Sequence, residues 1–276
     1  MNKIIFLFVL MLAIKHTHGQ CLSKKQAIES KIKSQRELTY STKHIPGEPV
    51  KDTIESIRVY RYDEKGNLTE QYEYISEGRR QSKIVYTINE SGKTTEADSM
   101  NGDGNILSKS FYSYDAKGKL LEIKSQDTLG NQLKAVVFTY SESGLLREEK
   151  GTEANGKTIY RKIYKYDATG ALLQNDYFNA DAKLYLSCKF NAGGKLYESK
   201  TYFADGTVGS RHAVFFDRVG YKIEEDDFDE NGKLLKQFTF LCGPFVGLGL
   251  WVKETKYNAY GKSVGITDRE FEFFPQ

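Results

Sequence analysis

Tyr60-Arg61-Tyr62-Asp63-Glu64-Lys65-Gly66-Asn67-Leu68 decides how this chain is read. It returns as Tyr112-Ser113-Tyr114-Asp115-Ala116-Lys117-Gly118-Lys119-Leu120 and again as Tyr164-Lys165-Tyr166-Asp167-Ala168-Thr169-Gly170-Ala171-Leu172. In each copy an aromatic pair precedes Asp-x-x-Gly. The Asp side chain can accept from turn amides, the next two residues suit the right-handed helical region, and the Gly takes a positive φ. That combination is a type I turn closed by a glycine bulge, a usual hairpin connection. The strands it joins run antiparallel.

Outward from these copies, turn glycines fall at Gly66, Gly78, Gly92, Gly104, Gly118, Gly130, Gly144, Gly156 and Gly170, at intervals alternating 12 and 14, a period of 26 residues. The series continues less strictly, with Ala182 where a glycine belongs, then Gly194, Gly206, Gly220, Gly232 and a displaced Gly261. Val, Ile, Tyr, Phe and Thr fill the intervening segments and helix-period stripes are absent, so each half-period predicts one strand and one turn. The expected fold class is all-β: a repetitive antiparallel meander of hairpins, roughly fifteen strands, forming one long twisted or coiled sheet.

Side-chain columns follow the repeat. Tyr62, Ile88, Tyr114, Tyr140, Tyr166, Phe190 and Phe216 stand before the major glycines, with Tyr60, Tyr86, Tyr112, Phe138 and Tyr164 two residues earlier, predicting an aromatic band on one face. Val59, Val85, Phe111, Val137 and Ile163 fall on the other. Glu70, Glu96, Glu122, Glu148, Gln174, Glu198 and Glu224 follow the glycines, and residue parity places this column on the aromatic face, with Tyr60 one strand spacing from Glu70. The column reads as part of the repeat.

The three nonapeptides resemble the YD repeat of the Rhs family, with degenerate copies at Phe138–Leu146, Cys188–Leu196 and Val214–Lys222. The resemblance covers about residues 55–263. It implies a β-sheet repeat; in long Rhs proteins such repeats coil as a shell around a toxin, for which this chain is too short. It is similar to short exported YD-repeat proteins of Gram-negative bacteria.

The composition is that of a folded chain with a thin core: 276 residues, 39% hydrophobic, 28% charged and 13% aromatic. With a net charge of +3 and no strongly basic tract, nucleic acid is not an expected partner. Residues 1–19 read as a signal peptide: Lys3, then an apolar run from Ile4 to Ile14 too short to span a bilayer, then Thr17-His18-Gly19. The expected location is secreted or periplasmic. A lipid anchor on Cys21 is the alternative, disfavoured because Gln20 precedes it. Past the signal, no apolar run reaches transmembrane length.

Residues 20–54 predict an opening strand, with Ile32, Ser34, Arg36, Leu38 and Tyr40 at alternate positions, and a loop; a short helix from Ser23 is the alternative. Residues 55–240 are the repeat array and 241–276 a capping segment with a last hairpin. Leu241 to Trp251 breaks the period, holds the only Trp and reads as a plug over the open end of the sheet, since terminal repeats need caps. Phe245 and Trp251 are its candidate partner-binding residues.

Site chemistry is sparse. Past the signal only His44 and His212 remain. Ser210 and His212 share a strand face without a placed acid, so a structural histidine is expected. Asp227-Phe228-Asp229-Glu230-Asn231-Gly232 matches the start of a calcium loop, making Asp227, Asp229 and Asn231 the candidate metal ligands. Position twelve is Phe238, however, and hairpin turns demand the same residues. No other cofactor is expected. Asp52-Thr53-Ile54, Asp98-Ser99-Met100 and Asp127-Thr128-Leu129 resemble a bacterial O-glycosylation acceptor. Cys188 and Cys242 sit four strands apart in a meander, too far for a disulfide, so two free thiols are expected. The function expected is a non-catalytic binding or structural module of the envelope or exterior, with a cell-surface glycan or envelope protein as partner. A glycan-active enzyme and an outer-membrane β-barrel are the alternatives; mid-strand Glu122, Lys124, Arg61, Gln71 and Glu73 oppose the barrel's lipid-facing wall.

Overall fold

The structure is a computed structural model and describes residues 22–43, 48–75, 79–246 and 249–275. The predicted signal peptide, Cys21, His44 and Gly78 lie outside the described residues.

The expected all-β meander is present, and it closes on itself. From β2 (Val50–Tyr62) each strand pairs antiparallel with the next as far as β16 (Leu234–Cys242); β16 then pairs with β19 (Lys253–Asn258) and β19 with β20 (Ser263–Phe273). The ring is completed by β1 (Ile32–Lys43), bonded to β2 on one side and β20 on the other. The result is a barrel of 18 strands, more than the expected fifteen, and the chain is long enough to form a closed wall by itself. Both N-terminal expectations hold together: α1 (Lys24–Glu29), with a capping box between Ser23 and Gln26, leads into the opening strand that seals the sheet.

The repeat turns have the predicted chemistry. Gly118 has φ +80° and Gly66 +70°, and Ala182 takes φ +59° where glycine is missing. Asp115 Oδ1 accepts the Lys119 amide at 2.7 Å, and Asp167 Oδ1 accepts those of Thr169 and Ala171 at 2.8 and 2.9 Å. Three tyrosines at the strand end before these turns tie each turn to the preceding one. Tyr114, Tyr140 and Tyr166 donate to the carbonyls of Thr94, Leu120 and Leu146 at 2.7–2.8 Å. Lys93 and Lys119 lie over the Tyr114 and Tyr140 rings, 5.3 and 5.1 Å from their centroids.

The Glu column is a correction. Tyr62 pairs with Leu68 but Arg61 with Glu70, so Thr69 is an extra residue and the pleat slips by one. The same slip leaves Thr95, Leu121, Arg147, Leu173, Tyr197 and Ile223 unpaired. Tyr60 therefore faces Gln71, and Glu70, Glu96, Glu122, Glu148, Glu198 and Glu224 line the face opposite the aromatic band. Parity counted from the turn misses a second bulge.

The aromatic face is the inner, concave one. Leu22, Ala27 of α1 and Leu250 pack on Tyr60 and Tyr62, while Phe111, Val137, Phe215 and Leu241, on the opposite face, stay exposed. Burial also depresses the amines of Lys134, Lys162 and Lys256 and raises the phenols of Tyr112, Tyr160 and Tyr164, all on the aromatic face. α1, the start of β1, the end of β20 and the segment after β16 all lie at the rim carrying the Asp-x-x-Gly turns. There β17 (Phe245–Val246) and β18 (Leu250–Trp251) form a small hairpin sheet of their own. The Leu241–Trp251 segment thus caps one rim of a closed barrel; there is no open sheet end for it to cover. A barrel of this strand number cannot fill its interior with side chains. Buried apolar side chains cluster under this cap and on β11 (Leu172–Asn179) and β12 (Leu184–Phe190), while Leu38, Ile57 and Ile266 are buried on the opposite face of β1, β2 and β20.

Candidate functional site

Six mid-strand cations of the outer wall are paired with carboxylates. Lys83, Lys109, Lys124, Arg161, Lys200 and Arg211 each lie within one residue of the centre of their strand. Each meets a carboxylate: Lys83 with Glu70 at 2.8 Å, Lys109 with Glu96 at 2.6, Lys124 with Glu122 at 2.9, Arg161 with Glu148 at 2.7, Lys200 and Arg211 with Glu198 at 3.7 and 3.6. The Lys109 and Arg161 bonds hold Glu96 and Glu148 below the usual carboxylate range. A shallow groove of about 450 Å³ runs past Tyr197, Glu198, Arg211 and Phe215, but its charges already serve each other.

The inner wall is different, and two of its patches are rich in chemistry. The first lies under the cap. Glu37, 2% exposed, accepts from Arg269 at 2.7 Å and from Gln35 at 2.8 Å. Burial pushes its carboxyl up against the pull of Arg269. The Arg269 guanidinium in turn sits 3.6 Å from the centroid of Trp251, and Leu250 reaches the α1 cluster, so this patch fastens the hairpin to the wall. Nearby, Lys222 lies 3.6 Å over Phe240 and bonds Glu225 at 2.8 Å, while burial and Glu254 push the Cys242 thiol up to about 12.

The second patch spans β9 (Leu146–Glu153), β10 (Thr158–Tyr166), β11 and β12. Glu149 accepts from the Tyr160 and Tyr164 hydroxyls at 2.6 and 3.0 Å. Tyr160 can lie down toward it because its cross-strand partner is Gly151: a Cβ there would stand 2.2 Å from Tyr160 Cε1. The Lys162 ammonium lies between two rings, 4.9 Å from Tyr164 and 4.7 Å from Tyr177. No carboxylate among the described residues stands within ion-pair distance of it. Beside it Cys188 is a buried free thiol, pushed by burial to about 11. The Tyr185 hydroxyl and the Asn175 amide oxygen are buried without a partner among the described residues.

Of the residues singled out in the sequence, Phe245 packs on Tyr221 with centroids 4.9 Å apart and pairs with Trp251 across the hairpin, so both belong to the cap. Asp227, Asp229 and Asn231 are not gathered for a metal. Asp229 Oδ1 accepts the Asn231 and Lys233 amides of its own turn at 2.9 and 2.8 Å, and Asp227 bonds His212 Nδ1 at 2.8 Å. Among the described residues no group of three or more His, Cys, Asp or Glu side chains is arranged to hold a metal. The acid missing beside His212 is thus Asp227, legible from the Gly220 hairpin, which pairs the two. Ser210 Oγ is bonded to Thr201 instead, at 2.7 Å, so the group is a His–Asp pair without a hydroxyl bonded to it. Of the glycosylation triads, Ser99 lies on the inner face and Thr53 is bonded to Ser41, leaving Thr128 exposed in its turn. Cys188 and Cys242 are both free, as expected, although the geometry that separates them is a closed wall.

No family profile matches the chain, and no curated protein matches it by sequence. Among solved structures it is similar to a porin-like protein from Bacteroides uniformis, at 11% identity and a TM-score of 0.46, over 88% of this chain and 98% of that one. It is also similar to the Photorhabdus luminescens Tc holotoxin pore, at 14% identity and a TM-score of 0.32, over 81% of this chain and 14% of that one. A third likeness is to the TcdB2-TccC3-Cdc42 structure, at 12% identity and a TM-score of 0.32, over 86% of this chain and 16% of that one. The chain thus spans about a sixth or less of the length of the two Tc toxin chains.

Proposed function

We propose that the chain is an exported, non-catalytic barrel of the bacterial envelope that stands in water and binds its ligand, a glycan, on the inner wall. The observation that carries the reading is the contrast between the walls: six mid-strand cations paired with carboxylates outside, and inside a band of aromatic rings with Lys162 held between two of them without an ion pair among the described residues. On a lipid-facing wall, Lys or Arg at the midplane costs about 2–4 kcal/mol. Six such residues would cost about 12–24 kcal/mol, of the order of a whole domain's stability or more, even before pairing offsets part of it. Aromatic faces and buried hydroxyls inside suit sugars, whose rings stack and whose hydroxyls donate.

An outer-membrane barrel is the second reading, favoured by the closed ring of an even number of neighbour-connected antiparallel strands. Expression of the exported chain without detergent decides between them. A monodisperse, folded protein that captures sugars on a glycan array supports the first reading. A protein that folds only in detergent micelles or lipid vesicles refutes it in favour of the second.

A further inference from the structure

The outer wall supplies a carboxylate for every central cation named above, and the same repeat could do so at Lys162. Glu149 stands directly across from it on β9. Yet both Glu149 oxygens are engaged by Tyr160 and Tyr164, at 2.6 and 3.0 Å, and the ammonium is left between two tyrosine rings. Lys162, Tyr160, Tyr164 and Tyr185 are half-buried, so the patch remains reachable from the lumen. Asn175, 3% exposed and paired with Tyr164 across the strands, keeps an amide oxygen without a partner, as does the Tyr185 hydroxyl. One cation without a direct ion pair among the described residues, phenol faces beside it, and orphaned hydrogen-bonding groups beneath: each has capacity left for a ligand. Burial lowers the proton affinity of the Lys162 amine and outweighs the opposing pull of the Glu149 charge across the strands.

We propose that the inner-wall patch of β9 to β12 binds a carboxylated sugar, with the carboxylate on the Lys162 ammonium and the sugar ring against Tyr164 and Tyr160. This rests on the reading of the inner wall as the ligand surface and adds the chemical class and the anchoring residue. A neutral sugar would leave Lys162 without a direct ion pair, and an anion without a ring would leave the phenol faces uncovered.

The test is calorimetric titration of the exported chain with tetragalacturonate and with the same oligosaccharide after reduction of its carboxyl groups. The expected result is binding of the acid form, at least tenfold weaker binding of the reduced form, and loss of affinity with rising salt. Lys162→Met should weaken tetragalacturonate binding at least tenfold while melting no lower than wild type, and Lys162→Arg should keep most of it. No binding of tetragalacturonate, equal binding of the two forms, or unchanged affinity in a folded Lys162→Met protein overturns the inference. If the protein then captures other glycans on the array, the broader reading of a glycan-binding barrel survives; if it captures none, that reading falls as well.

Discussion

Arg269→Met tests whether the buried pair under the cap holds the seam of the barrel. Glu37 is 2% exposed and accepts from Arg269 at 2.7 Å; removing the guanidinium leaves the buried carboxylate the weaker pull of Arg58, its cross-strand partner, and costs up to about 3–5 kcal/mol. The pH dependence has a definite sign. Burial already holds the Glu37 carboxyl above its ordinary value, so the native state binds the proton more tightly than the unfolded chain. Such a group subtracts stability as pH rises from the unfolded pKa, about 4.3, through the folded one. Without Arg269 the folded pKa rises further and the loss deepens, at up to about 1.4 kcal/mol per pH unit. The variant should therefore lie closest to wild type in acid and fall away toward neutrality. Glu37→Gln in the Arg269→Met background should recover most of the loss at neutral pH. Urea unfolding at pH 5 and pH 7.5, followed by the emission of the only tryptophan, Trp251, reads all of this, because Arg269 lies over that ring. A penalty independent of pH, or a double variant no more stable than Arg269→Met, would refute the buried-charge reasoning.

Gly118→Val should destabilise by about 1–3 kcal/mol, because Gly118 has φ +80°, whereas Ala182→Gly should be neutral or stabilising, because Ala182 already strains at +59°; thermal melts separate them. Tyr140→Phe should cost about 0.5–1.5 kcal/mol through its bond to the Leu120 carbonyl, and adding Tyr114→Phe and Tyr166→Phe should roughly triple the loss in urea melts, since the three sites are independent. Cys188 and Cys242, with thiol pKa values pushed to about 11 and 12, should react with iodoacetamide at neutral pH far more slowly than a free thiol in denaturant, and reductant should leave the melt unchanged.

The hairpins were legible because each is specified within a dozen residues: Asp115 accepts from Lys119, and Gly118 turns the chain between them. What depends on distant partners was not. The second bulge leaves Thr69, Leu121, Arg147 and Tyr197 unpaired, residues with nothing chemical in common, so no sequence sign warns that the Glu column changes face. Closure brings Glu37 to Arg269 across 232 residues, a contact no local pattern encodes. The inner patch was half-legible. Tyr164 stands in an aromatic column, but no sequence signal marks Tyr160 or Lys162; their place follows only from the register that sets Lys162 opposite a Glu149 already engaged by two phenols.

The same distance explains why the seam is built differently from the rest of the wall. Joining strands more than 200 residues apart costs about 3–4 kcal/mol of loop-closure entropy beyond what a hairpin costs, with no turn to hold the register. β1, β2 and β20 have 12, 13 and 11 residues, against seven to nine for β3 (Leu68–Tyr74) through β16. Each additional ladder position adds backbone hydrogen bonds worth about 0.5–1.5 kcal/mol, so the longer strands are of the right size to offset the closure term. The register, left unspecified by any turn, is instead fixed by side chains. Glu37 on β1 accepts from Arg269 on β20 at 2.7 Å, and Arg269 is held over Trp251 of the cap. A one-residue slip would put Glu37 on the outer wall and strand Arg269 inside, so the buried pair penalises every misclosed ring by several kcal/mol while adding little to the correct one.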